Sequence, residues 1–195
     1  MARRTADEAE RTRQDIVGAA RALFAAQGFA ATSTTAVVEA AGVTRGALYH
    51  HFADKAALFQ EVFAQLLDEL DAAVREAALA EAGAVDAFAA GCRALLDYVV
   101  RPDYHRIAVV DAPSVLGAET WHALDAGLGL GSVELGLKAI DHEGRLRVPA
   151  TPALAVTVYG ALTEAGIVLS RGGPDAPSRD DLVDAVLGLL VAPAS

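Results

Sequence analysis

Residues 33 to 52 hold side chains whose types and spacing suit hydrogen bonding to a nucleic acid. Arg45 can donate two bonds to O6 and N7 of a guanine in the major groove. It could equally pair with a phosphate, and both roles stay open. Thr44, and either Ser33 or Thr34, stand where a helix would begin, so a hydroxyl and backbone N–H groups could bind phosphate together. The stretch therefore predicts chemistry directed at DNA.

Two short helical patterns on either side of Gly42 would position these side chains. Gly42 can adopt the positive φ that a tight turn between two helices needs. Apolar residues recur at spacings that form one buried seam, which leaves Thr44 and Arg45 on the outer face. The seam consists of Val37, Val38, Ala41, Val43, Leu48 and Phe52. This layout is that of a helix-turn-helix, whose second helix enters the major groove.

The string TTAVVEAAGVTRGALYHHF at residues 34–52, followed by Lys55 and Leu58, resembles the DNA-binding domain of TetR-type (TetR/AcrR) transcriptional regulators. The resemblance is close over about residues 10 to 60, and the remainder is compatible in length and helical character. It implies an all-α fold with an N-terminal three-helix helix-turn-helix domain at residues 8–55. A long helix would join this to a C-terminal helical domain, residues 56–195, for ligand binding and dimerisation.

The resemblance also extends the expected DNA-binding set. Gly46 would let its helix approach DNA closely, and Ala47 could touch a thymine methyl group. Tyr49 and Lys55 match family positions that usually hold phosphates, and His50 should face the DNA. The predicted DNA-binding residues are Ser33, Thr34, Thr35, Thr44, Arg45, Gly46, Ala47, Tyr49, His50 and Lys55.

The first helix is expected from about Glu8 to Gln27, with Gly28 ending it. The polar residues 1–7 read as a mobile arm. Its Arg3 and Arg4 could reach a minor groove, and a tail without function is the alternative. A later helical pattern, residues 119–140, carries several glycines, so it should be bent, interrupted or packed very close to a neighbour.

The last two predicted helices, about residues 152–171 and 179–191, are more apolar than a single exposed helix tolerates. In TetR-like proteins the corresponding pair packs against its twin, so the resemblance implies a homodimer through these helices. Ordinary packing within one chain is the alternative.

The resemblance further implies a small-molecule effector, bound in a pocket that the middle helices wall. Ordinary core packing explains most candidates for its lining equally well. Glu164 could meet a cationic ligand or could simply lie on the surface. The candidates are Phe88, Cys92, Leu96, Tyr104, Trp121, Leu124, Leu128, Tyr159 and Glu164.

Charge is unevenly distributed. The formal net charge is −10, yet residues 1–60 hold seven Lys or Arg against six acids, and the remainder holds nine against twenty. DNA affinity depends on local phosphate neutralisation, so the acidic second part does not exclude DNA binding. The acidic second part should weaken non-specific binding to DNA. The alternative is that its acidic side chains only keep the helix surfaces hydrated.

Other features argue against a membrane, a metal and catalysis. No apolar run approaches the roughly 18 residues of a membrane span, and no apolar segment follows the basic N-terminus. The single cysteine, Cys92, excludes an intrachain disulfide and fits a cytoplasmic protein. No strand precedes the glycines at 127–131, and no H-E-x-x-H or C-x-x-C pair is present. We therefore expect no cofactor and no metal site.

The predicted function is a DNA-binding transcriptional regulator, namely a repressor that binds a palindromic operator as a dimer and is released by a small molecule. One alternative is a DNA-binding regulator that a protein partner controls. Another is a small helical enzyme or ligand carrier, although no catalytic constellation is evident.

Overall fold

The computed structural model describes residues 2–173 and 175–192; the side chains of residues 2–5, 122 and 125–128 lie outside that description. Within it the protein is all-α, as predicted, with one isolated antiparallel bridge between Leu146 and Val191. The helices are α1 (Ala2–Ala31), α2 (Thr34–Ala41), α3 (Arg45–His51), α4 (Lys55–Leu79), α5 (Ala84–Val99), α6 (Pro102–Tyr104), a π-helix (His105–Asp111), α7 (Ala112–Leu116), α8 (Ala118–His142), α9 (Pro152–Arg171) and α10 (Arg179–Leu190).

Contacts along the chain divide it into two compact units. The first comprises Met1–Leu66 and Pro102–His122, and the second comprises Leu67–Arg101 and Ala123–Ser195. The division into 8–55 and 56–195 that the sequence suggested differs from these units, because it assigns residues 56–66 and 102–122 to the later part. It remains a prediction about domains, since compact units and independently folding domains are different properties.

Side chains cap the starts of several helices where hydroxyl residues were expected. Ser33 accepts from the N–H of Ala36 at the start of α2, and Thr44 accepts from Ala47 at the start of α3. Such bonds satisfy N–H groups that have no partner within the helix. The sequence left open whether Ser33 or Thr34 caps α2, and the structure selects Ser33.

Helix α1 is longer than the sequence indicated. It begins at Ala2, so the residues expected to form a mobile arm are helical, and it resumes after Gly28 as far as Ala31. Gly28 itself leaves helical geometry, at φ 81° and ψ 167°, and kinks the helix there. The expected end at Gly28 is therefore corrected to a kink. The predicted contact of Arg3 and Arg4 with a minor groove concerns side chains that lie outside the described ones.

The core of the first unit is formed by α1 and the helices that follow it. Phe24, Leu48, Leu58 and Phe59 are fully buried. The rings of Phe24 and Phe59 lie 5.2 Å apart in an edge-on arrangement. Aromatic burial of this kind contributes strongly to a small core. It fixes α1 against α4 and so supports the helix-turn-helix between them.

The core of the second unit joins α5, α8, α9 and α10. Helix α8 is continuous, and two of its glycines lie against aromatic rings. A Cβ added at Gly136 would lie 2.5 Å from Cδ2 of Phe88, and one at Gly129 would lie 2.6 Å from Cε2 of Tyr159. Of the three outcomes expected for this helix, close packing against a neighbour is the one observed.

Helix α9 is apolar enough to meet a simple membrane-span test. An 18-residue stretch within this 20-residue helix reaches a mean hydropathy of 1.5, and 28% of that stretch is buried. Thr157, Thr163 and Glu164 interrupt its apolar residues, so it does not appear in the sequence as an unbroken apolar run. Length and composition alone are weak evidence, because core helices of soluble proteins pass the same test.

Candidate nucleic-acid interface

Helices α2 and α3 are joined by a turn at Gly42, which has φ 66° and ψ 27°. This left-handed conformation suits glycine because a Cβ would be strained there. The N–H of Val43 donates to the carbonyl of Val38 at 3.2 Å, which closes the turn. Val37 on α2 and Leu48 on α3 are fully buried, so the two helices share one anchored inner side.

The opposite side of this motif is open to solvent. Arg45 and His50 are exposed on α3, and 42% of Tyr49 is accessible. The remaining predicted residues of the motif lie at the helix starts or beside Arg45. Of these, Ser33, Thr35, Thr44 and Gly46 are exposed, whereas Thr34 and Ala47 are half-buried.

Tyr49 links the start of α2 to the exposed face of α3. Its hydroxyl lies 3.5 Å from Oγ1 of Thr34, and the guanidinium carbon of Arg45 lies 5.5 Å from its ring centroid. The hydrogen bond with Thr34, and then that with Arg45, hold the pKa of Tyr49 below its ordinary value of 10.0. Thr34, Arg45 and Tyr49 therefore form one polar group that could contact a phosphate or a base edge.

Lys55 is arranged differently from the other predicted residues. Its Nζ donates to the carbonyl oxygens of Phe29 and Thr32, each at 2.8 Å. These acceptors belong to a short corner at residues 29–32, where α1 ends after its kink and the chain turns into α2. A lysine that already donates to two carbonyls has less capacity to bind a phosphate than an exposed one.

Asp111 and Arg106 support the same corner but were not identified from the sequence. The Oδ2 atom of Asp111 accepts from the N–H of Phe29 at 2.8 Å. The two residues are separated by 82 positions, so no local pattern could have indicated the contact. Arg13 was also missed; its guanidinium lies 2.6 Å from Glu61 and 5.6 Å from the ring centroid of Phe52.

The predicted ligand-binding residues of the second unit lie in or beside its hydrophobic core. Phe88, Cys92 and Leu96 are buried there, and Tyr159 packs against them. Burial raises the pKa of the Cys92 thiol to about 12, which keeps the thiol protonated at neutral pH.

The other candidates for the ligand pocket are dispersed. Tyr104 is buried in the first unit, where Nε1 of Trp121 donates to the carbonyl of Ala108 at 3.0 Å. Leu124 is half-buried and Glu164 is exposed in the second unit. The side chain of Leu128 lies outside the described residues. Within either unit, the structure gathers only some of the predicted set.

A small cavity in the second unit lies apart from the predicted lining. It measures about 40 Å³ and is bordered by Glu134, Leu137, Lys138, Ala150, Thr151, Pro152 and Ala155. A volume of this size accommodates only a few water molecules. In the part of the chain that the structure describes, no cluster of three His, Cys, Asp or Glu residues could hold a metal ion.

Comparison with known proteins identifies both parts of the chain. The family model for bacterial regulatory proteins of the tetR family matches residues 16–62. A model for the C-terminal domain of tetracyclin repressor-like proteins matches residues 85–192, which is more than half of the chain.

Individual relatives agree with these models. The HTH-type transcriptional regulator AcrR of Shigella flexneri is 52% identical over 63 residues, covering 32% of this chain and 29% of AcrR. The match therefore spans less than a third of that curated relative. A crystal structure of a TetR-family transcriptional regulator from Pectobacterium atrosepticum is 31% identical with a TM-score of 0.78, covering 96% of this chain and 98% of its own.

A third comparison concerns the fold alone. The complex of SmeT with triclosan has a TM-score of 0.73 at 22% identity, covering 93% of this chain and 92% of SmeT. The first two relatives are named as transcriptional regulators and not as enzymes, which agrees with the prediction. The family models and the Pectobacterium relative together confirm the resemblance seen in residues 34–52: the chain belongs to the TetR family of bacterial regulatory proteins.

Proposed function

We propose that this protein is a cytoplasmic transcriptional repressor that binds a palindromic operator as a homodimer and releases it on binding a small molecule. The observation that carries the proposal is the solvent-exposed face of α3, on which Arg45, Tyr49 and His50 are accessible. Their helix is anchored from behind by the fully buried Leu48. A rigid helix with an open polar face is what major-groove recognition requires.

Arg45 is the proposed base-reading residue. It lies in the first turn of α3, where side chains of a recognition helix reach base edges. Its guanidinium rests beside the Tyr49 ring, which orients it without an ion pair to a carboxylate among the described residues. Thr44 and Ser33, at the starts of their helices, would hold phosphates on either side.

The proposed dimer uses α9 and α10. Val156 on α9 is 56% exposed and Leu189 on α10 is 79% exposed. Large apolar side chains exposed on adjacent helices favour a covering partner. In a symmetric dimer the two recognition helices would enter successive major grooves about 34 Å apart.

The small-molecule effector is proposed from the resemblance to the family and from the likeness in fold to SmeT, whose solved structure is a complex with triclosan. The cavity of about 40 Å³ could not hold such a compound, so the proposed ligand site either lies elsewhere in the second unit or forms when its core opens. A second candidate is control of the DNA-binding protein by a protein partner, which could dock on an open surface such as the groove along α4 at Asp68, Arg75 and Leu79. A compound that raises the melting temperature would support a small-molecule effector. A compound screen in which none raises it would support control by a protein partner.

The decisive experiment is a fluorescence titration of the protein against the DNA that flanks its own coding region, at two salt concentrations. We expect tight, sequence-selective binding with two chains per site. Arg45→Ala should lower specific affinity by about tenfold or more while leaving the fold intact. The control, Arg75→Ala, removes the same charge from an exposed side chain on α4 and should change affinity little.

Weak binding without sequence preference, equally sensitive to salt on every DNA tested, would refute the proposed function. Unchanged operator preference in Arg45→Ala would remove Arg45 from the reading role and leave the rest of the proposal standing.

A further inference from the structure

The corner at residues 29–32, where α1 ends after its kink and the chain turns into α2, is held by side chains from outside the helix-turn-helix. Asp111, the last residue of the π-helix, accepts the N–H of Phe29 at 2.8 Å through Oδ2. The same oxygen lies 3.3 Å from Nε of Arg106. A carboxylate that accepts a backbone N–H and a guanidinium N–H makes stronger bonds than a neutral acceptor would.

The kink at Gly28 makes room for this arrangement. The φ of 81° at Gly28 turns the chain out of helical geometry immediately before Phe29. The guanidinium of Arg106 lies over Gly28 so closely that a Cβ there would overlap Nη2. Gly28 therefore serves both the backbone conformation and the approach of Arg106.

The π-helix explains why Arg106 and Asp111 can act together. Residues five apart on an α-helix point about 140° away from each other, because each residue turns by about 100°. A π-helix bonds residue i to residue i+5, so its wider turn brings side chains five residues apart closer to one side of the helix. The wider turn of residues 105–111 thereby aligns the two side chains towards the corner. π-helical turns are rare and occur frequently at functional sites.

The corner leads directly into the DNA-binding face. Thr32 is almost fully buried, and its hydroxyl donates to the carbonyl of Gly28 at 2.8 Å. The next residue, Ser33, caps α2 and is one of the predicted phosphate-binding residues. The side chain of Asp111 is only 14% exposed, so its bond to Phe29 is shielded from water. A shift of the corner would therefore move the start of α2.

We infer that Asp111 is a positioning residue for DNA binding, which fixes the corner at residues 29–32 from the π-helix and thereby orients α2 and α3. This inference rests on the proposed function, and it assigns a role to a residue outside the segment matched by the DNA-binding family model. Asp111 itself does not touch DNA in this scheme.

The sign of the effect separates positioning from simple charge. Removing an acidic group from a DNA-binding protein should, by charge alone, raise its affinity for DNA. Loss of a positioning contact should lower it. Asp111→Ala is therefore expected to lower operator affinity by about tenfold, with an unchanged slope against salt because no phosphate contact is lost.

The experiment combines operator titration with amide hydrogen exchange of the free protein. In Asp111→Ala, exchange should accelerate in the peptide that covers residues 28–33. Asp111→Asn keeps an oxygen that can accept from Phe29 but loses the charge pair with Arg106, so it should fall between wild type and Asp111→Ala. Ser114→Ala is the control, since its hydroxyl donates to the main-chain carbonyl of Asp111 at 2.9 Å and not to residues 29–32.

Two results would overturn the inference. Operator affinity of Asp111→Ala equal to or above that of wild type would show that the contact does not position the DNA-binding face. Unchanged exchange at residues 28–33 would show that the contact does not hold the corner. If Asp111→Ala does not fold, Asp111→Asn decides both points. Failure of the wild type to bind any DNA would instead count against the proposed function, while the exchange experiment would still test the contact.

Discussion

The ammonium group of Lys55 lies 4.1 Å from the ring centroid of Phe29 and donates to the carbonyl oxygen of that same residue at 2.8 Å. With its second bond, to the carbonyl of Thr32, this lysine closes the corner between α1 and α2 from the side of α4. The cation is stabilised both by the ring face and by the two carbonyl dipoles. Its geometry indicates a role in holding the motif together.

Lys55→Gln should lower operator affinity without changing its salt dependence. Each phosphate that a protein neutralises contributes about 0.9 to the slope of log affinity against log salt concentration. If Lys55 holds the corner instead of a phosphate, the slope should stay that of wild type. Titrations at four salt concentrations measure it, with Lys138→Gln as a control on an exposed lysine of α8. A slope reduced by about 0.9 would instead support the predicted contact of Lys55 with a phosphate.

Gly28→Ala should destabilise the protein by about 1 to 3 kcal/mol, because its φ and ψ fall where essentially only glycine is found. Urea denaturation gives the free energy of unfolding. The matched control is Gly18→Ala, an exposed position within α1 where an added Cβ meets no neighbouring atom within 4 Å. That change should stabilise by about 0.5 to 1 kcal/mol. Equal free energies of unfolding for the two variants would show that residue 28 accepts a Cβ without strain.

Leu189→Glu should convert the proposed dimer to monomers. A carboxylate placed in an apolar interface costs several kcal/mol, so the dissociation constant should rise by about a hundredfold or more. Leu79→Glu is the matched control, since Leu79 is likewise 79% exposed but lies on α4. Light scattering over a range of concentrations distinguishes the two. A Leu189→Glu variant that stays dimeric would exclude this part of α10 from the interface.

Cys92 should make stability depend on pH in the alkaline range. Burial raises the pKa of its thiol from 9.0 to about 12. The folded thiol thus keeps its proton where the unfolded thiol loses it. The free energy of unfolding should therefore fall as pH rises above about 9, by at most about 1.4 kcal/mol per pH unit.

Urea denaturation of wild type and Cys92→Ala at pH 8 and pH 10 isolates this contribution, because all other titrating groups are common to both. The stability advantage of wild type should shrink at the higher pH. A constant difference between the two proteins would mean that the native thiol ionises as readily as the unfolded one.

Sequence predicted the features that depend on near neighbours. The caps at Ser33 and Thr44 and the turn at Gly42 each act within a few residues, so their types and spacing were sufficient. Ser178 likewise starts α10 through reciprocal bonds with Asp181, which is only three positions away. These local signals, with the buried seam between α2 and α3, specified the exposed face that we propose binds DNA.

Features that depend on distant contacts were not predictable in this way. The acceptor for the Phe29 N–H comes from Asp111, and the partner of Arg21 is Asp103, again 82 positions away. The seven-residue π-helix has no propensity pattern that distinguishes it from an α-helix. The bonds from Lys55 to the carbonyls of Phe29 and Thr32 were not predictable either, because any sequence supplies main-chain carbonyls.

The burial of the chain's one cysteine has a practical consequence for spectroscopy. Because Cys92 is 5% exposed and its thiol is protonated at neutral pH, it should not react with thiol-specific probes. A cysteine introduced at the exposed Glu39 of α2 would then be the sole labelling site, without prior removal of the native residue. In a homodimer, paired spin labels there would report the separation of the two DNA-reading heads directly, in solution and for each candidate effector.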